Sequence, residues 1–175
     1  QIHISVQAES VDDPASSKAN NLVLANPMDA EGTRNLARTC KHLTFENEWI
    51  DVEALKPLEN SGIVFSPSLD SIKPLLDKIS QRKLLQDLAI PGPKWIPLSS
   101  VTDHPINLPS GWKFPVMAKA SRGGYDGKGT QVINSACELE KLLRSVPQNQ
   151  WFLESWVPYE KELAFVASRD SFGSI

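Results

Sequence analysis

The sequence has little cysteine, no long apolar run and no excess of basic residues. Cys40 and Cys137 lie far apart, and two isolated thiols fit a reducing compartment such as the cytoplasm, so we expect both to be buried as small hydrophobic side chains. No stretch approaches the roughly 20 apolar residues that cross a bilayer, and the first residues lack a signal-peptide pattern, which argues against a membrane protein. The formal net charge of -3 argues against nucleic acid as a partner.

What is present is the composition of an ordinary folded protein. Of the 175 residues, 41% are hydrophobic and 22% are charged, which excludes a disordered chain and allows a sizeable core. The chain opens with Gln1 inside an alternating apolar run, and it stops at Ile175 just after the turn-like residues 170–173. We therefore expect an internal piece of a longer protein.

Short apolar runs alternate with helical patterns in the first part, which predicts an α/β fold with parallel strands. Asp29 and Asp51 are suited to cap helices, and Pro57 is expected to limit or kink the second one. The predicted strands of this part are residues 2–8, 22–25, 42–45 and 63–65.

The second part combines helices with a glycine-rich loop between two strands. A short helix over 68–76, interrupted by Pro74, is followed by a helix that Asp77 caps and that ends before the Pro-Gly-Pro of 91–93. A further turn-rich stretch, residues 105–111, is expected to be a loop, and a helix is expected around Leu139 to Val146. The predicted strands here are residues 114–120, 129–133, 151–154 and 162–168.

The loop over residues 123–130 contains four glycines, whose backbone N–H groups can face phosphate oxygens. Lys119 stands near the end of the preceding strand, and this coincidence favours phosphate binding over a flexible hairpin with a lysine reaching into water. It is not a Walker A loop, because Arg122 and Gly129 occupy the positions of its first glycine and its Ser or Thr. In a protein kinase the strand with the lysine follows the glycine-rich loop, whereas Lys119 precedes the loop here, so the protein-kinase arrangement is excluded as well.

Other segments carry weaker indications. Residues 152–157 with Glu162 are suited to a purine hinge, although an exposed connection with solvated carboxylates is the alternative. The cations of 77–83 are typical of a solvated helix face. Glu46 and Asn47 follow a predicted parallel strand, where ligands bind in open sheets, but capping or a plain loop is at least as good an interpretation. The three histidines show no zinc-site spacing.

As a set, these segments resemble the ATP-grasp superfamily, and within it the family of 5-(carboxyamino)imidazole ribonucleotide synthases (the PurK family). The resemblance implies an α/β ATP-grasp fold fragment joined to the later part of an amino-terminal parallel-sheet domain. It also implies that ATP phosphorylates bicarbonate, and that the carboxyphosphate so formed delivers carbon dioxide to the amine of aminoimidazole ribonucleotide. The matching segments are residues 25–34, 44–48, 77–88, 123–130 and 152–167.

The resemblance further implies which residues bind ATP; it assigns no catalytic residue. Lys78 and Lys119 would contact phosphates, with Lys78 standing where the family often has Arg, and Glu162 would bind the ribose. The loop over the phosphates would comprise Gly124, Tyr125, Asp126, Gly127, Lys128, Gly129 and Thr130. The adenine pocket would comprise Glu154, Ser155, Trp156 and Val157. The Mg²⁺ ligands are expected beyond Ile175, so no metal site is predicted within this chain.

The implied organisation has three parts: an incomplete amino-terminal domain over 1–66, linker helices with a central lobe over 67–154, and the start of a carboxy-terminal lobe over 155–175. The complete protein would be a cytoplasmic homodimer acting on ATP, bicarbonate and aminoimidazole ribonucleotide, and this piece alone is expected to be inactive. The alternatives are another ATP-grasp ligase, such as the formate-dependent glycinamide ribonucleotide transformylase, or a nucleotide-binding module without catalysis.

Overall fold

A computed structural model describes residues 2–101, 106–124, 129–164 and 166–167. Helices and strands alternate, which confirms the predicted α/β class. The chain divides into two compact units, one over Gln1–Gly92 and Ala120–Gly129 and the other over Pro93–Lys119 and Thr130–Ile175. Within the described ranges, no helix has the length and apolar character needed to cross a membrane.

The described residues of the first unit form two small parallel sheets and four α-helices. Strand β1 (Ser5–Ala8) pairs with β2 (Asn21–Leu24), and β3 (His42–Leu43) pairs with β4 (Val64–Phe65). The helices are α1 (Ala30–Leu36), α2 (Val52–Asn60), α3 (Leu69–Ile72), which runs into a 3₁₀ turn over Lys73–Leu75, and α4 (Lys78–Asp87).

Side chains at the helix starts explain where three of these helices begin. The carboxylates of Asp29, Asp51 and Asp77 accept hydrogen bonds from backbone N–H groups of α1, α2 and α4, as predicted. Pro57 lies inside α2 without ending it, since the helix continues to Asn60 and the Pro57 carbonyl still accepts from Ser61 N. The core of this unit includes Leu55, Phe65 and Leu69.

The described residues of the second unit form a four-stranded sheet with an α-helix on one face. Its strands lie in the order β5 (Trp95–Pro97), β8 (Trp151–Ser155), β6 (Val116–Ala120) and β7 (Thr130–Ile133). Helix α5 (Ala136–Ser145) packs Leu139 and Leu142 against one side of this sheet. The buried residues on that side include Val116, Ala118, Ile133 and Leu153.

Several expectations are corrected. Cys137 is exposed, because it lies on α5 away from Leu139 and Leu142, and Cys40 is only partly buried. Strand β5 was not predicted, since two prolines surround its only β-favouring residues, Trp95 and Ile96. The predicted strand over 162–168 is absent at 162–164 and 166–167, which pair with no described strand, while 165 and 168 lie outside the described residues.

Candidate functional site

Strand β6 places Lys119 on the face of the sheet opposite α5. Side chains alternate along a strand, and the core takes Val116 and Ala118, so Met117 and Lys119 point to the other face. The same alternation in β8 sends Leu153 to the core and Glu154 to the face of Lys119. The alternation of residues around Lys119 in the sequence therefore already indicates which side chains of this strand face the core and which face the candidate site.

Lys119 and Glu154 form an ion pair on that face. The Lys119 Nζ and Glu154 Oε2 atoms are 2.7 Å apart. Glu154 is buried, with 3% of its surface exposed, whereas 27% of the Lys119 side chain is exposed. The positive charge of Lys119 compensates the buried carboxylate, and its ammonium group keeps access to solvent or to a ligand.

Apolar and aromatic side chains surround the pair. Trp95 lies opposite Glu154 in the antiparallel ladder of β5 and β8, and its ring meets Phe152 edge-on with centroids 6.3 Å apart. Val132 lies opposite Met117 in the ladder of β6 and β7. A face of this kind suits a planar, apolar ring with an anionic group attached. The residues on it that sequence analysis missed are Trp95, Met117 and Val132, and Thr130, predicted as part of the loop, lies opposite Lys119 in the ladder of β6 and β7.

Glycines shape the two ends of the loop that follows β6. Gly123, Gly124 and Gly129 all have positive φ angles, of 67°, 85° and 82°. The Ala120 N–H donates to the Gly129 carbonyl at 2.7 Å, and a Cβ on Gly129 would lie 3.0 Å from the Gly124 Cα. The ends of the loop therefore approach too closely for a side chain. Tyr125, Asp126, Gly127 and Lys128 lie outside the described residues.

The start of α4 is tied to the start of this loop. Lys78 uses its backbone N–H to donate to Ser121 O at 2.8 Å, and its Nζ to donate to Gly123 O at 2.9 Å. Asp77 Oδ2 lies 3.5 Å from Arg122 Nε. The cationic run is thus partly engaged with the loop rather than solvated throughout, which sequence spacing alone did not indicate.

A cavity of about 220 Å³ borders this anchor within the first unit. Its wall includes Lys78, Arg122 and Gly123 beside Trp49 and Leu75. Near it, Asn47 Oδ1 accepts from Trp49 N at 2.9 Å and Asn47 Nδ2 donates to Glu46 at 3.0 Å. Both polar groups of the Asn47 side chain are therefore engaged in hydrogen bonds with neighbouring residues of the chain.

The segment after β8 carries the remaining predicted residues. Ser155 N donates to Lys94 O at 2.8 Å, which keeps Ser155 within the sheet, while Trp156 and Val157 are exposed. The Tyr159 hydroxyl donates to the carboxylate of Glu162, and this hydrogen bond raises the pKa of Tyr159. Both side chains are exposed, so Glu162 is accessible to a polar ligand.

Acidic side chains do not converge into a metal site in the described ranges. No group of three or more His, Cys, Asp or Glu side chains among the described residues lies close enough to hold an ion. The acidic side chains of the described residues are therefore not suited to hold a resident Mg²⁺ ion.

Comparison with known proteins agrees with this geometry. The model of the ATP-grasp domain matches residues 83–175. An N5-carboxyaminoimidazole ribonucleotide synthase from Synechocystis sp. is 44% identical over 99% of the chain, and one from Synechococcus elongatus is 42% identical over 97%. The chain spans 43% of the length of both. The crystal structure of the synthetase from Thermotoga maritima superposes with a TM-score of 0.69, at 27% identity, over 90% of this chain and 40% of its own.

The domain match covers the strand with Lys119, the glycine loop and the strand with Glu154, which are the features that sequence analysis singled out for phosphate and purine binding. The two synthases from Synechocystis sp. and Synechococcus elongatus extend the likeness to nearly the whole chain, which confirms the predicted resemblance. The chain belongs to the ATP-grasp family.

Proposed function

We propose that this chain is the nucleotide-binding part of an enzyme that carboxylates aminoimidazole ribonucleotide with bicarbonate and ATP. The observation that carries the proposal is the 44% identity, over 99% of the chain, to a protein named N5-carboxyaminoimidazole ribonucleotide synthase. The ion pair of Lys119 and Glu154, on a sheet face that also carries Trp95 and Met117, supports the nucleotide-binding part of it.

In this proposal Lys119 and Lys78 bind phosphate oxygens, and the loop from Gly124 to Thr130 covers them. The positive φ angles of the glycines at both ends of the loop support this role, because backbone conformations of this kind allow successive N–H groups to bind an anion. Glu154, Ser155, Trp156 and Val157 border the adenine, and Glu162 accepts hydrogen bonds from the ribose hydroxyls. The exposure of Trp156, Val157 and Glu162 leaves them accessible for these contacts.

The reaction transfers the γ-phosphoryl group of ATP to a bicarbonate oxygen, which gives ADP and carboxyphosphate. Loss of phosphate from carboxyphosphate gives carbon dioxide, and the exocyclic amine attacks its carbon and loses a proton to form the carbamate. Phosphoryl transfer depends mainly on positioning and on neutralising the charge of the phosphate oxygens. In this chain, the two lysines and the loop N–H groups are the groups suited to that task.

The wider proposal follows the family resemblance. Residues 1–66 belong to an amino-terminal domain, 67–154 to linker helices and the central lobe, and 155–175 to the start of the carboxy-terminal lobe. The complete protein is a homodimer in the cytoplasm, where two unpaired cysteines stay reduced. Light scattering on the purified complete protein measures the dimer directly.

Phosphate release by the complete protein tests the reaction. With ATP and Mg²⁺ present, we expect release only when both aminoimidazole ribonucleotide and bicarbonate are added. A parallel reaction with glycinamide ribonucleotide and formate tests the competing ligase. Release that depends on formate would overturn the proposal, and ATP binding without release under either condition would favour a module without catalysis.

A further inference from the structure

Three contacts join the start of α4 to residues 121–123, the loop start that follows β6, and all of them lie within the first unit. The Lys78 backbone N–H donates to Ser121 O at 2.8 Å, and the Lys78 Nζ donates to Gly123 O at 2.9 Å. Asp77 Oδ2 lies 3.5 Å from Arg122 Nε. Each residue of the loop start is therefore held by one of two consecutive residues at the start of the helix.

The Asp77 carboxylate serves the helix and the loop start at the same time. Its Oδ1 accepts from the Ser80 backbone N–H at 2.9 Å, which caps α4, while its Oδ2 faces Arg122. The Asp77 side chain is 19% exposed, whereas the Arg122 side chain is 71% exposed. Because the helix fixes the less exposed carboxylate, the arginine and the backbone that carries it are the parts that the contact restrains.

The two residues of this contact stand next to the proposed phosphate ligands. Lys78 directly follows Asp77, and Gly123 directly follows Arg122. Gly123 and Gly124 have φ angles of 67° and 85°, and a glycine backbone loses more freedom than that of other residues when it is fixed. A loop that is held at its start before ATP arrives loses less of this freedom on binding, which raises the affinity.

We infer that Asp77 is a positioning residue, which holds the loop start through Arg122 and does not touch the nucleotide itself. The inference rests on the proposed function, in which Lys78 and the loop bind the phosphates. Asp77 carries a negative charge close to Lys78, so an effect through charge alone would tighten ATP binding when that charge is removed. An effect through positioning weakens ATP binding instead, so the sign of the change separates the two.

The substitution Asp77→Asn separates the loop contact from the helix cap. Asparagine caps a helix as well as aspartate does, so α4 keeps its cap, but the neutral side chain loses the charge that faces Arg122. We expect the dissociation constant of ATP, measured by calorimetric titration on the complete protein, to rise about threefold, which is the scale of one partly exposed ion pair. Unchanged or tighter binding would overturn the inference.

A double-mutant cycle tests whether the effect passes through Arg122. The variants are Asp77→Asn, Arg122→Gln and the double variant. We expect Asp77→Asn to weaken ATP binding when Arg122 is present and to have no further effect in the Arg122→Gln background, because the partner of the carboxylate is already removed there. A loss that persists in that background would mean that Asp77 acts on ATP by another route, which contradicts the inference.

Adenosine provides a readout that a general loss of structure would not give. It has the base and the ribose of ATP but no phosphate, so it offers nothing for the glycine loop to bind. We expect Asp77→Asn to leave the dissociation constant of adenosine unchanged while it weakens ATP binding. Equal factors for the two ligands would show that the substitution disturbs the whole binding site, and the positioning role would then be wrong.

The substitution Asp51→Asn is the matched control. Asp51 caps α2 by accepting from the Ala54 N–H three residues further on, at 3.1 Å, as Asp77 does from the Ser80 N–H. The same chemical change is thus made at a cap of the same geometry on another helix of the first unit. ATP affinity should stay at the wild-type value in Asp51→Asn, and an equal loss in both variants would contradict a specific role of Asp77.

A second variant keeps the test decisive if Asp77→Asn does not fold. Asp77→Ser also retains a capping side chain, but the hydroxyl is shorter and uncharged, so it should weaken ATP binding at least as much as Asp77→Asn does. Thermal unfolding of every variant confirms that the fold is kept. Failure of the wild-type protein to bind ATP would remove the proposed function, whereas normal ATP binding by the wild type and by both Asp77 variants would remove only this inference.

Discussion

The two lysines assigned to phosphate are held in different ways. Lys119 projects from a strand and pairs with a buried carboxylate, whereas Lys78 lies at the start of α4 and donates to the carbonyl of Gly123. The first contact joins two full charges fixed by a sheet. The second joins a charge to a neutral group in a glycine-rich segment. We conclude that the Lys119 side chain is held by a charged partner within its own sheet, whereas the Lys78 side chain is held by a backbone carbonyl of the loop.

The largest expected difference lies between Lys119→Met and Lys78→Met. Removal of the Lys119 ammonium group leaves Glu154 buried without this counter-charge, so we expect a loss of about 2–4 kcal/mol in the free energy of unfolding. Lys78→Met removes one hydrogen bond near the surface and should cost about 0.5–1 kcal/mol. Denaturant unfolding of the complete protein measures both. Equal losses would contradict this expected difference, because they would mean that the burial of Glu154 does not determine the stability.

The next effect concerns the ends of the loop. Gly129→Ala combines a positive φ of 82° with a Cβ only 3.0 Å from the Gly124 Cα, and we expect it to cost about 2–3 kcal/mol and to weaken ATP binding. Gly111→Ala is the matched control, since its φ is also 82° but nothing lies within 4 Å of its added Cβ. It should cost about 1–2 kcal/mol and leave ATP affinity unchanged. If both variants behave alike, the close approach of the loop ends has no energetic role.

A smaller effect is expected at Glu162. Glu162→Gln should weaken ATP binding several-fold, because a neutral amide accepts a weaker hydrogen bond from a ribose hydroxyl, whereas Glu160→Gln should not. The same substitution should lower the pKa of Tyr159, since the hydrogen bond to Glu162 holds that pKa above the ordinary value of 10.0. Ultraviolet titration of tyrosine ionisation follows this shift. Unchanged ionisation would contradict the Tyr159 contact, and equal ATP affinities of the two variants would contradict the ribose contact.

The smallest effect is expected at the exposed ion pair of Glu53 and Lys73 in the first unit. Hydrogen bonding to Lys73 lowers the pKa of Glu53, and hydrogen bonding to Glu53 raises the pKa of Lys73. The stabilisation is therefore lost as pH falls below 4.5 through the folded-state pKa of Glu53, and as pH rises above 10.5 through that of Lys73. Lys73→Met should change the unfolding midpoint slightly near pH 7 and not at all in about 1 M salt. A large effect that salt does not reduce would show that exposed pairs matter as much as the buried pair.

Local features of the fold were predictable because they depend on neighbouring residues. Asp29, Asp51 and Asp77 marked three helix starts correctly, since a capping side chain bonds to N–H groups two or three residues away. The strands flanking the glycine loop were also predicted, with ends that differ by one or two residues. Strand β5 could not be predicted, because only its pairing with β8 makes so short a segment a strand.

The two charged residues of the site were predictable, but their contact with each other was not. Lys119 and Glu154 were both singled out, yet their contact depends on β6 and β8 being neighbours, which the order of strands along the chain does not reveal. The ion pair with a buried carboxylate implies that replacing Lys119 lowers the stability of the fold, and the sequence alone gives no sign of this cost. Long-range pairings of this kind require the folded arrangement.

Strand β6 alternates between the core, which takes Val116 and Ala118, and the opposite face of the sheet, which takes Met117 and Lys119. This alternation makes the strand far more sensitive to insertions and deletions than to most substitutions. Loss of one residue just before Lys119 would exchange the two faces, so that the lysine would enter the core. A deletion library across this strand should therefore yield almost no folded protein, whereas exchanges between apolar residues at Met117 should be recovered often.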